Sequence, residues 1–180
     1  MSQWQADKCW ADKCMPYVRS ALGHCFFRAG THVEDTREGT DMRFVEAIGS
    51  GRVAVRIRRA AYIDRYMGEV TLRACRDSGA QTELSKLIEG DVLANWFFYG
   101  FAGEEDQRGR VSLAAWIIID MLQLGALLRT GAVPCSDLIP NGDGTHFVAI
   151  HTEPLARLRI VENQSNWEHR PARRTFSNTR

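Results

Sequence analysis

The chain has 180 residues, 44% of them hydrophobic and 25% charged, which is the balance of a folded globular domain and excludes a disordered polyelectrolyte. A formal net charge of +1 excludes a global field that would draw the whole molecule toward polyanions. No apolar run reaches the eighteen or so residues a membrane helix needs, and the N-terminal "MSQWQADKCW" has no signal-type apolar core, so a cytoplasmic protein is expected, with no membrane partner.

Trp10, Cys14, Val18 and Leu22 recur at helical spacing and predict an amphipathic helix ending at Gly23, with Pro16 expected to kink it or start a turn. The short repeat ADKC at 6–9 and 11–14 has no solenoid period. Cys9, Cys14, Cys25, Cys75 and Cys135 lack zinc-finger spacing and read as reduced, mostly buried thiols.

Strand-type runs follow: "HCFFRA", "TDMRFVEAI", "RVAVRIRRA" and "EVTLRAC", with "GSG" at 49–51 as a hairpin turn between the second and third. "TELSKLIEGD" switches to helical period with Thr82 as N-cap. "WFFYGFA" and "RVSLAAWIIID" read as strands, and "MLQLGALLRTG" as a helix closed by Gly131. "PNGDGTHFVAIH" gives a turn and a last strand. From Ser165 the composition becomes polar and arginine-rich. The expected organisation is one α/β domain over 1–164, with a hairpin-rich mixed sheet flanked by helices, and a flexible tail over 165–180.

The basic residues are arginines almost throughout, twenty against three lysines, with nine between Arg37 and Arg76 and four more in the tail. A guanidinium fork suits bidentate contact with phosphate or carboxylate, although a GC-rich coding sequence produces the same bias. On a strand "VAVRIRR" places Ala54, Arg56 and Arg58 on one face and Val53, Val55 and Ile57 on the other. Arg56, Arg58 and Arg59, extended by Arg73 and Arg76 on the next strand, fit a set of phosphate contacts; they equally fit the solvated face of an antiparallel strand. Tyr62 and Tyr66 fit either base stacking or packing. His146 and His151, five apart on one strand, face opposite ways and make no ligand pair.

The N-terminal helix, the "GTDMRF" and "VAVRIRR" strands, the helix "TELSKLIEGD" and the strand "WFFYGF" together resemble the PD-(D/E)xK nuclease superfamily, over roughly residues 10 to 102. The resemblance implies a restriction-endonuclease-like core and a Mg²⁺ or Mn²⁺ site whose first carboxylate is Asp41, a residue that also suits the turn-rich "DTREGTD". The sequence departs from the family at the second motif. If the triplet falls on 56–58 the metal-binding carboxylate has become Arg56; on 54–56 it has become Ala54. A migrated carboxylate could restore the site, with Glu83 the foremost candidate, before Glu69 and the group Glu34, Asp35 and Glu38; Glu46 should face away from Asp41.

The catalytic set implied is then Asp41, Glu83, Arg56 and Arg58, with Asp41 and Glu83 holding the metal. The expectation is a DNA- or RNA-binding protein, a diverged or inactivated metal-dependent nuclease of the small kind associated with bacteriophages and prophages. The alternative is a protein-binding inhibitor of a host defence complex, anti-CRISPR-like in kind, built on the same scaffold.

Overall fold

The computed structural model describes residues 3–22, 27–29, 42–45 and 50–169. Asp41, Glu34, Asp35, Glu38, Glu46, Gly23 and the tail arginines from Arg170 onward lie outside the described residues, as does part of the expected turn at 49–51.

The chain is mixed α/β with two sheets. Helix α1 (Gln3–Leu22) is followed by β1 (Phe27–Ala29), β2 (Met42–Val45) and β3 (Ser50–Arg58). A 3-10 turn (Ala60–Tyr62) runs into the short α2 (Ile63–Tyr66). Then come β4 (Glu69–Arg76), α3 (Glu83–Glu89), β5 (Trp96–Glu105), β6 (Val111–Asp120) and α4 (Met121–Arg129). The chain closes with β7 (Ile139–Asn141), β8 (Thr145–His151), α5 (Thr152–Arg157) and β9 (Val161–Ser165). Six strands form one sheet in the order β1-β2-β3-β5-β6-β9, and β4-β8-β7 form a second. Among the described strands only the β3–β5 pair is parallel, with Arg56 beside Tyr99 and Arg58 beside Phe101; the other pairs are antiparallel. Among the described residues no helix is long and apolar enough to cross a membrane.

Strand β5 explains the layering. Its unbroken apolar run is what a strand covered on both faces requires. Phe98 faces α1 and joins Val18, Val53 and Ile118, stacking on Trp116 at 5.4 Å. Phe97, Tyr99 and Phe101 face the other way, into a core shared with Val70, Leu72, Val148 and Ile150 of the second sheet and with Leu87, Leu124 and Leu155 of the helices. The α1 stripe seats as expected, with Cys14 and Val18 fully buried. Pro16 does not end the helix: it sits on the exposed side, as does Asp12, whose carbonyl it deprives of a donor. The caps also match. Thr82 and Ser85 form a reciprocal capping box on α3, Gly90 closes it at φ +85°, and Gly131 follows α4 at φ +68°.

Three expectations need correction. Strand β4 does not extend the sheet of β3; it pairs with β8 in the second sheet, so the central sheet has α1 on one face and the second sheet with its helices on the other. The face of β3 carrying Arg56 and Arg58 is not a solvated outer face, because it looks into the space between the sheets. And the ordered chain does not stop at 164: Ser165 ends β9, and Trp167 is 6% exposed within the core.

Candidate arginine site between the sheets

Alternation along β3 sends Val53, Val55 and Ile57 under α1 and leaves Arg56 and Arg58 among the aromatic residues of β5 on the opposite face. Charges cannot enter such a space without partners. The two arginines find different ones.

Arg56 crosses to the outer edge of β4. Its Nη1 donates to the Thr71 carbonyl at 2.9 Å, and its Nη2 is ion-paired with Glu83 Oε1. The second Glu83 oxygen accepts the Arg73 backbone N–H at 3.0 Å, and the Thr82 hydroxyl donates to the Ala74 carbonyl at 2.9 Å. Side chains from β3 and the start of α3 therefore satisfy backbone groups that an unpaired strand edge exposes. Removing the carboxylate in Glu83→Ala leaves the Arg56 charge and the Arg73 amide without this acceptor. With the Arg56 side chain 20% and the Glu83 side chain 38% exposed, solvent moderates the loss, and we expect about 2 kcal/mol of destabilisation by chemical denaturation. A loss below about 0.5 kcal/mol would show that the ion pair does not hold the edge.

Arg58 is enclosed differently. Its Nε donates to the Tyr99 hydroxyl at 2.6 Å and its Nη2 to the Thr71 hydroxyl. Its guanidinium carbon lies 5.1 Å from the Tyr66 ring centroid, 5.4 Å from Phe147 and 5.7 Å from Tyr62, within cation–π range of each. Among the described residues no carboxylate stands within ion-pair distance of it.

Arg73 belongs to the same neighbourhood. Burial, and then the adjacent charge of Arg56, holds its pKa below the usual arginine value, with Glu83 and Asp143 opposing and Arg76 adding to the repulsion. Arg76 is exposed at the end of β4, and Arg59 turns away to lie 5.7 Å from the Trp10 ring centroid.

The structure thus brings Glu83, Arg56 and Arg73 together and sets Arg58 beside them through Thr71. Arg59 lies apart, and Asp41, with its distance to Glu83, is outside the described residues. Glu69 is buried at the start of β4, opposite His151 in the register, and desolvation lowers the His151 pKa. His146 lies on the same strand, with Nδ1 4.0 Å from Asp77 Oδ1.

Sequence reasoning missed Thr71, gripped at its carbonyl by Arg56 and at its hydroxyl by Arg58, and Tyr99. The signal for Tyr99 was a hydroxyl in an otherwise apolar buried strand, which must find a partner. Thr71 left a fainter one, a hydroxyl between Val70 and Leu72.

The donor set does not fit a divalent cation as described. Both Glu83 oxygens are engaged, one of them by the Arg56 guanidinium, and no group of three or more His, Cys, Asp or Glu among the described residues is arranged to hold a metal. What the arrangement can do is present partly buried guanidinium groups in excess of the described carboxylates, which favours an anion. Compared with known proteins, the chain matches no family model, no curated protein and no solved structure.

Proposed function

We propose that this chain is a nucleic-acid-binding protein on a diverged, nuclease-like scaffold, in which arginine contacts to phosphate have taken the place of a carboxylate-bound metal. The observation that carries the reading is Arg58: a guanidinium drawn into an aromatic enclosure with no described carboxylate to neutralise it. A charge so placed is costly, and a phosphate would supply a counter-charge that the described residues do not. Arg73, Arg76 and Arg56 add to the same excess around Glu83. The element order also supports it, since α1, the β2–β3 pair, α3 and a β5 parallel to β3 follow the succession on which the likeness to PD-(D/E)xK nucleases rests.

The protein-inhibitor reading draws on another surface. Leu93, Leu122 and Leu158 are 48%, 64% and 48% exposed, and each lies within two residues of a backbone bond (Met121 N–H to Asn95, Asp120 N–H to Ile160) at one end of the β5–β6 pair. Such leucines suit a protein contact.

The test is a mobility-shift assay on DNA and RNA with parallel cleavage lanes in Mg²⁺ and Mn²⁺, wild type beside Asp41→Ala. Both proteins are expected to retard nucleic acid without cutting it. Metal-dependent cutting lost in Asp41→Ala would replace the reading with a working nuclease, and no retardation of any probe would favour the leucine surface.

A further inference from the structure

The segment after β3 is not absorbed by the cleft. Arg59, Ala60, Ala61, Tyr62, Asp64 and Arg65 are all exposed, Tyr62 at 42%, on the 3-10 turn and α2. Aromatic rings and guanidinium groups alternate across it. Arg59 lies 5.7 Å from the Trp10 centroid, Arg58 lies 5.7 Å from Tyr62, and Arg65 lies 5.2 Å from Tyr66. The Tyr62 and Tyr66 centroids are 5.9 Å apart. Like Arg58, neither Arg59 nor Arg65 has a carboxylate within ion-pair distance among the described residues.

A large exposed ring needs an explanation when its neighbours are cations with no carboxylate within ion-pair distance among the described residues. A surface tyrosine is ordinarily solvated among neutral or mixed-charge neighbours; here one side of the ring meets Tyr66 and the Arg58 guanidinium, the short side chains of Ala60 and Ala61 precede it, and Arg59, Asp64 and Arg65 make the exposed segment net positive. Arg59 and Arg65 sit three residues to either side of Tyr62, a rise of roughly 10 Å in all along a 3-10 turn and then an α-turn. The cation placed against the Tyr62 ring itself is Arg58, while Arg59 and Arg65 flank it along the segment with their guanidinium groups over Trp10 and Tyr66. Ring faces bordered by cations are how proteins hold single strands, whose unpaired bases expose a π-face that a duplex keeps stacked inside.

We propose that this ledge is a base-stacking platform for single-stranded nucleic acid, with Tyr62 taking one base and Arg59 and Arg65 the phosphates on either side. The inference rests on the nucleic-acid reading above and narrows its substrate class: strand separation, and not duplex shape, is what the protein recognises. The bases are held by their faces, so little sequence preference accompanies it.

Fluorescence anisotropy distinguishes the two levels. The probes are a labelled oligo(dT) of about a dozen nucleotides, the length a small single-strand site covers, and the same strand annealed to oligo(dA). Wild-type protein should bind the single strand about tenfold more tightly, Tyr62→Ala should lose about tenfold on the single strand with little change on the duplex, and Tyr62→Phe should keep the affinity. Because Tyr62 is exposed, its variants should retain the far-UV circular dichroism of the wild type. Equal affinity for both probes together with an unaffected Tyr62→Ala overturns the platform and leaves the nucleic-acid reading standing. Failure to bind either probe overturns both and assigns the ledge to a protein partner.

Discussion

Trp167→Ala should be the most destabilising substitution considered, with a loss of about 4 kcal/mol on chemical denaturation, in the range for truncating a buried aromatic residue. The indole stacks on Phe101 at 5.6 Å with the planes 24° apart and meets Tyr99 edge-on at 6.0 Å. Its Nε1 donates to the Thr152 hydroxyl at 3.0 Å, and that hydroxyl donates on to the Gly68 carbonyl. Removing the ring opens a cavity against β5 and releases the segment after β9. The effect reaches the arginine site as well, because Tyr99 is packed by Trp167 on its ring and holds Arg58 by its hydroxyl. A loss under about 1 kcal/mol would mean that the indole does not occupy the core.

Arg58→Met should separate stability from binding. Methionine fills a similar unbranched volume and removes a desolvated cation that has no described carboxylate. The groups left behind are not stranded, since the Thr71 and Tyr99 hydroxyls are 3.2 Å apart and can bond each other. The melting temperature should therefore stay level or rise, while affinity for nucleic acid falls about tenfold and the salt dependence loses close to one phosphate contact. Glu83→Ala, one strand-edge away, should do the reverse by costing stability first. If Arg58→Met instead unfolded the protein by more than about 2 kcal/mol, Arg58 would be mortar between the sheets and not a residue kept for a ligand.

The contrast between the two arginines also shows what was legible beforehand. Period-two alternation correctly split β3 into a valine–isoleucine face and an arginine face, and the caps at Thr82 and Gly131 were readable because they depend on local backbone chemistry. Which face looked inward was not readable. Arginine at 56 and 58 suited either phosphate contacts or a solvated face, but the decisive neighbours, Thr71, Glu83 and Tyr99, are 13 to 41 positions away and meet them only after the sheets pack. The same limit hid the second sheet: β4 follows β3 as a hairpin partner would, yet pairs with β8, more than seventy residues on. Trp167 was obscured by composition, since one indole in a polar stretch carries no periodicity while its packing against Phe101 secures it. Glu83 was picked out as a migrated carboxylate that would hold a metal with Asp41, and in the structure its carboxylate pairs with Arg56. The use made of it, an ion pair that closes a strand edge, lay beyond what spacing alone conveys.

The central proposal is that guanidinium groups between the sheets and on the neighbouring ledge hold phosphate, and its most direct measurement is the salt dependence of nucleic-acid binding. With three to five phosphate contacts to a single strand, log affinity should fall against log salt with a slope of roughly −2 to −3.5, which is about 20- to 100-fold between 50 and 200 mM. A slope near zero, or no binding at the lower salt, would contradict the account.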